Sequence, residues 1–272
     1  MSNHPPVLGI AGNFTGHLEQ AGEAKDFVAV VAAENKPKGL FPMYLPLDDH
    51  RLGTWPFSAD QLRLPDHDAD VQPEPELALR IAVTWDGDRI EALQPLAFAA
   101  CDDTSIRRPA QPKISLKKNW GPHSKGLSAD WLPLDRFDAS GVLHHFRLAC
   151  FLRRDGQWLA YGEDSAVRDY STVYEELLEW SVDRLNHQED VGPLEPVGEY
   201  LREAGQPSEL LLSIGATRYT KHGEGNFVRP GDEVVIIAYD GRRTDAAHVS
   251  ELLERGEVPP CASVLRRTVV QP

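Results

Sequence analysis

The sequence predicts a mainly β, α+β fold with short peripheral helices, and three observations carry that expectation. Apolar runs of strand length recur along the chain, among them Val7 to Ile10, Leu77 to Trp85, Leu96 to Cys101 and Val234 to Tyr239, several of them closed by Gly or Asp turn signals. His144 to Leu152 and Gln157 to Tyr161 flank Arg153-Arg154-Asp155-Gly156, a strand-turn-strand pattern. Val173 to Leu185 reads as an amphipathic helix, with Val173, Leu177, Leu178 and Val182 apolar, and the other helical segments are short. At 272 residues and 41% hydrophobic, the chain can bury a core as one large β-rich domain or as two smaller ones.

The N-terminal strand ends at Gly12-Asn13, and Thr15 then caps a short helix holding His17, Glu19 and Gln20 in one turn. A His beside an acid there is either a device for activating water or the start of a surface helix. Phe27 to Ala33 has the length of a strand and is followed by the turn Lys36-Pro37-Lys38-Gly39. Leu40 to Pro46 is apolar but broken by proline, so it lines a pocket or packs irregularly, and an acidic, proline-rich loop spans Asp48 to Asp70.

The stretch Val71-Gln72-Pro73-Glu74-Pro75-Glu76-Leu77-Ala78-Leu79 is the most informative. In extended backbone Glu74 and Glu76 project from one face, and Leu77 and Leu79 from the other. Two carboxylates that close need a cation, a shared proton or open water. Pro73 and Pro75 suit a strand edge or its first residues. The pair is therefore either a hard-cation site of the Mg2+ type or a solvated strand edge. A second strand ends in Asp102-Asp103, followed by Arg107. Asp103 is a candidate third oxygen ligand, with Asp102 facing away; Arg107 pairs with one of these acids or holds an anionic substrate. Lys113 to Gly126 is the most basic stretch of the chain. It brings an ammonium to a developing oxyanion or is a solvated loop, the reading favoured for Lys118 and Lys125.

Beyond these, Gly192 to Gln206 reads as a loop and short helix, Lys221 to Asn226 as a polar loop, and His248 to Arg255 as a short helix before an irregular tail. Cys101, Cys150 and Cys261 share no ligand spacing and point to neither disulfides nor zinc. A formal charge of −14 without a basic stripe argues against nucleic acid and anionic membrane as partners. No apolar run spans a bilayer and the N-terminus lacks a signal-peptide pattern, so a cytoplasmic protein is expected.

Taken in order, these motifs resemble the fumarylacetoacetate hydrolase family from about residue 7 to 240. Asn13-Phe14 with His17 looks like the family's first motif and Glu74-Pro75-Glu76 like its Glu-x-Glu pair. Asp102-Asp103-Thr104-Ser105-Ile106-Arg107 is similar to its Asn-Asp-x-Ser-x-Arg motif, and Pro230-Gly231-Asp232 to its late turn. Lys117, by its distance to Gly126, matches the family's lysine. The resemblance implies a mixed β-roll or sandwich, usually dimeric, with residues 1–70 as a lid-like region, 71–240 as a metal-binding core and 241–272 as an extension. It implies Mg2+, with Mn2+ or Ca2+ as alternatives, held by Glu74, Glu76 and Asp103. His17, with Glu19, would activate water; Lys117 would stabilise negative charge; Arg107 would hold a carboxylate or brace Asp103. The expected activity is hydrolysis of a carbon–carbon bond in a small anionic keto acid of the acylpyruvate kind. Decarboxylation, hydration or isomerisation, and a binding protein without turnover, are the alternatives.

The departures from the pattern sharpen these expectations. Gln20 stands where the family places the acid partner of its His, and Asp102 stands where it has Asn. Phe41-Pro42-Met43-Tyr44 lacks the family's Lys, and Ser213 to Arg218 replaces a Thr-Gly-Thr-Pro loop. The extra acid implies either an unusually acidic cation site or an Asp102 turned away and paired with an Arg.

Overall fold

Strand alternation sorts the apolar side chains into three layers in a computed structural model that describes residues 4–27, 30 and 36–272. In chain order the first half holds β1 (Val7–Ala11), α1 (His17–Gln20), β2 (Gly39–Tyr44), β3 (Phe57–Ser58), β4 (Gln61–Arg63), β5 (Asp70–Gln72), β6 (Pro75–Asp86), β7 (Arg89–Asp102), β8 (Ser105–Arg108), α2 (Ile114–Lys118), β9 (Lys125–Leu127) and β10 (Leu132–Pro133). The second half holds β11 (Phe146–Arg154), β12 (Gln157–Ala166), α3 (Glu175–His187), α4 (Val197–Glu203), β13 (Glu209–Ser213), α5 (Lys221–Gly225), β14 (Glu233–Asp240), α6 (Ala246–Glu254) and β15 (Ser263–Val270). The expected mainly β architecture with short helices is what the chain adopts.

One mixed sheet runs β2-β1-β13-β6-β7-β9-β3, with β10 also on β7; a second runs β12-β11-β14-β15-β4; β5 and β8 form a third, two-stranded piece. On the first sheet Leu8, Leu77, Leu79, Phe98 and Leu212 join Leu148, Val234, Ile236 and Leu265 of the second in the central layer. The opposite face of the first sheet carries Val7, Ala78, Cys101 and Leu211, covered by Leu18, Phe27 and Ile114. The outer face of the second sheet, through Val235 and Ile237, is covered by Val249 and Leu253 of α6. The period of two thus sends alternate side chains of the central strands into different layers. Among the described residues no helix is long and apolar enough to cross a membrane.

Several expectations needed correction. Pro42 lies inside β2, tolerated because β2, which among the described residues pairs only with β1, is the edge of its sheet. β6, by contrast, is central; only Pro75, its first residue, satisfies the proline rule. Gly16, not Thr15, precedes α1, and its φ of 85° explains why glycine stands there. Of the strand expected from Phe27 to Ala33, Phe27 closes a 3-10 turn, and all but Phe27 and Val30 lie outside the described residues. Lys221–Gly225 is a short helix because the Thr220 side chain accepts from the Gly223 N–H. The C-terminal tail forms β15, antiparallel to β14.

Candidate metal centre

The β6–β7 hairpin positions the acids. Pro75 stands opposite Asp102 and Glu76 opposite Cys101, and the Asp103 N–H donates to the Glu74 carbonyl at 3.1 Å. Glu76 shares a face with Ala78, and Asp103 continues the face of Cys101, so both point away from the central layer. Glu74, Glu76 and Asp103 are buried and offer one oxygen each, all within 4.8 Å of one another. Asp102 points the other way, into the space between the sheets. There its Oδ2 accepts from Arg267 Nη1 at 2.8 Å and its Oδ1 from the Glu74 N–H at 2.9 Å. The added acid is therefore turned away and paired, the second of the two expected outcomes.

Each carboxylate has its own support. Ser105 Oγ donates to Glu74 Oε1 at 2.8 Å. Glu76 Oε2 accepts from Ser213 Oγ and, at 3.0 Å, from the Gly215 N–H. Gly215 has a φ of 109°, which only glycine adopts without strain. Lys118 Nζ lies 2.6 Å from Glu74 Oε2 and contacts Asp103 Oδ2, and Lys125 Nζ lies 3.0 Å from Asp103 Oδ1. Arg107 Nη2 donates to Glu74 Oε1 at 2.5 Å and to Tyr219 Oη at 2.8 Å, Nε donates to Gln72 Oε1 at 2.7 Å, and Nη1 pairs with Glu23. Lys117 Nζ lies 2.6 Å from the same Glu23 oxygen.

The electrostatics follow from burial and this pairing. Burial raises the Glu76 carboxyl well above its ordinary value, and Asp103 and Glu74 add to the rise. Burial also opposes ionisation of Glu74, but Lys118 and Arg107 outweigh it and hold Glu74 well below that value. For Asp103 burial prevails over Lys118 and Lys125, so the net direction is up. That direction and the ion pairs pull apart; with an ammonium on each oxygen we read Asp103 as ionised, since neutralising it would leave two buried cations facing a neutral partner. Burial likewise lowers Lys125 to about 8 against the pull of Asp103. Lys118 moves up, because Asp103 and Glu74 overcome its burial.

His17 faces the same pocket, and burial depresses it to about 4, so it is uncharged at neutral pH. Its buried Nδ1 has no hydrogen-bond partner among the described residues. Glu19 stands on the exposed side of α1, while Glu23, a few residues on, lines the pocket with His17, Glu74, Glu76 and Asp103. The pocket, bounded also by Phe41, Ile114 and Ala216, encloses about 20 Å³ of water-accessible space, room for a water or an ion.

Three hard oxygen donors at this separation fit a divalent cation of the Mg2+ class, and Glu76, which has no ion pair among the described residues, is the member that calls for one. The structure brings Glu74, Glu76, Asp103, His17, Arg107 and Lys117 into one neighbourhood and leaves Glu19 outside it. Arg107 braces Glu74, not Asp103. Lys118 and Lys125, expected in solvent, are 3% and 0% exposed, because α2 and β9 fold over the ends of the hairpin. Glu23, Ser213, Tyr219 and Arg267 escaped the sequence reading. Arg267 sits with Ser263, Leu265 and Val269 on the buried face of β15, an alternation that the structure reveals.

Solved structures share this fold. Cg1458 with an inhibitor is 16% identical with a TM-score of 0.59, over 98% of this chain and 77% of that one. A 2-keto-3-deoxy-D-arabinonate dehydratase complexed with magnesium and 2,5-dioxopentanoate is 14% identical with a TM-score of 0.55, over 98% and 73%. A protein from Yersinia pestis CO92 assigned to the fumarylacetoacetate hydrolase family is 14% identical with a TM-score of 0.52, over 98% and 93%. The fold is thus that of the fumarylacetoacetate hydrolase family, as the motif order implied. No curated protein matches the sequence. A family model does match residues 23–269, and the chain belongs to that family, the Family of unknown function (DUF5718).

Proposed function

We propose that the chain is a divalent-metal-dependent enzyme acting on a small keto acid, and that it hydrolyses a carbon–carbon bond in an acylpyruvate-like 1,3-dicarbonyl or 2-oxo acid. The observation that carries this reading is the buried group Glu74, Glu76 and Asp103, its oxygens within 4.8 Å, on the wall of the pocket that also holds His17. These three residues would hold the ion, Mg2+ in the first instance and Mn2+ or Ca2+ otherwise. When bound it would supply Lewis-acid polarisation of the substrate's keto oxygen.

The remaining work falls to side chains. Arg107 and Lys117, which now share Glu23, present two cations to a substrate carboxylate. Lys117 also opposes negative charge that develops as the bond breaks. His17, uncharged at neutral pH, is available to accept a proton from water at an imidazole nitrogen. The pocket encloses about 20 Å³, less than such an acid occupies, so lining side chains such as Leu18 and Glu23 would shift to admit it.

One observation favours a second reaction on the same site. A base depressed to about 4, with no carboxylate bonded to its Nδ1, is poorly matched to activating water at neutral pH. Decarboxylation or isomerisation of a related keto acid needs no activated water. The test is titration calorimetry with Mg2+ and Mn2+ at millimolar concentrations, followed by a metal-supplemented screen of acylpyruvates, oxaloacetate and hydroxylated dienoates. We expect binding that weakens at least tenfold in Glu76→Ala, and turnover of one class. Absence of binding, or affinity unchanged in Glu76→Ala, sinks the proposal.

A further inference from the structure

We infer that Lys118 is a built-in cation of the carboxylate triad: its ammonium occupies the position a divalent ion would take, and an ion enters only as Lys118 withdraws. The inference rests on the metal-dependent reading above. Lys118 Nζ meets Glu74 Oε2 at 2.6 Å, Asp103 Oδ2, and the Asp103 carbonyl at 3.2 Å. An ammonium has three donors, and here it hydrogen-bonds Glu74 Oε2 and the Asp103 carbonyl while pairing with the Asp103 carboxylate. All three oxygens belong to residues that would ligate a metal, and two of them are carboxylate oxygens. A Mg2+ ion about 2.1 Å from the same two carboxylates would crowd Nζ and face its charge directly. The ion and the ammonium exclude each other.

The charge inventory supports the same conclusion. Glu23, Glu74, Glu76 and Asp103 face Arg107, Lys117, Lys118 and Lys125, four carboxylates against four cations. A divalent ion added to that set leaves two positive charges in excess in a buried site. Withdrawal of Lys118 removes one, and an anionic substrate compensates the rest. Lys118 is placed to withdraw: it is the last residue of α2, a helix of five residues without a side-chain cap. Glu76, held by Ser213 and Gly215 and left without an ammonium, remains as the anchor for the incoming ion.

The test is Mn2+ binding, by calorimetry and by the electron paramagnetic resonance signal of free Mn2+, to wild type, Lys118→Met and Lys118→Arg, each also carrying Glu76→Gln. Lys118→Met is expected to bind at least tenfold tighter than wild type, Lys118→Arg within threefold of wild type, and Glu76→Gln to weaken all three. Equal or weaker binding by Lys118→Met overturns the inference and leaves the metal-dependent reading standing. No binding by any of the three overturns both. Binding by Lys118→Met alone supports the inference and removes metal from the wild-type reaction. Where Lys118→Met folds only with Mn2+ present, its thermal midpoint is expected to climb steeply with Mn2+ while that of wild type stays nearly flat. An equal dependence for the two proteins overturns the inference.

Discussion

Replacing Arg267 by Met removes the guanidinium that lies between the two sheets. Arg267 and Asp102 have 0% side-chain exposure, and Nη1 holds Asp102 Oδ2 at 2.8 Å. The same guanidinium donates to Thr104 Oγ1 at 3.1 Å, to the Gln61 carbonyl at 2.9 Å and to the His123 carbonyl at 2.8 Å. Removing one member of a buried pair costs about 3–5 kcal/mol, because the other charge is left uncompensated. Each acceptor that loses its donor adds about 1 kcal/mol, though the terms overlap in one network, so a total of about 4–6 kcal/mol is expected. Against a typical stability of about 5–15 kcal/mol this is a large share, corresponding to a fall in midpoint of roughly 10–20 °C for a chain of this size. The assay is urea and thermal unfolding followed by far-ultraviolet circular dichroism. The control is the double variant Asp102→Asn with Arg267→Met, which removes the stranded charge and should regain about 2 kcal/mol. A loss below about 1 kcal/mol, or a double variant no more stable than the single one, would refute the reasoning.

Two further substitutions test separate parts of the structure. His17 has its folded value depressed to about 4 from 6.5. The unfolded chain therefore takes up its proton first, and the stability contributed by neutral His17 is lost as pH falls from about 6.5 through 4. Between pH 7 and pH 5 wild type should lose about 2 kcal/mol more than His17→Gln in urea melts, and parallel losses would contradict the assignment. Gly198, in α4, packs on the end of α3: a Cβ there would stand 1.9 Å from the Leu185 carbonyl oxygen, a backbone atom that cannot swing away. Gly198→Ala should lower stability by about 1–3 kcal/mol even though Ala favours helix over Gly by about 1 kcal/mol, so a raised midpoint would show that the close approach is not real.

Strands whose burial follows from local alternation were legible in the sequence; strands whose role depends on a distant partner were not. β6, β7, β11, β12 and β14 announce themselves through apolar runs and turn residues such as Asp155-Gly156, whose φ values of 53° and 83° suit a tight hairpin. β15 did not, because Arg266-Arg267-Thr268 interrupts its apolar run, and an arginine reads as surface until an acid is found for it. That acid, Asp102, is 165 residues away in sequence.

The candidate site divides along the same line. The period of two places Glu74 and Glu76 on one face from sequence alone; Asp103, a candidate third ligand there, joins them through the pairing of β6 with β7. Their partners Lys118, Lys125 and Glu23 come from α2, β9 and the segment after α1, whose positions over the hairpin no local pattern records. A physical argument could still have anticipated the lysines. Three acids buried at the end of a hairpin cannot stay ionised without cations nearby, since the cost of desolvating unpaired carboxylates far exceeds that of burying a paired ammonium. In a chain of net charge −14 basic residues are scarce, and the stretch from Lys113 to Gly126 holds four lysines. Once the acids are taken as buried, the densest supply of positive charge has to be folded against them. Reading Lys118 and Lys125 as solvated is therefore incompatible with a buried triad, and both lysines are folded against it.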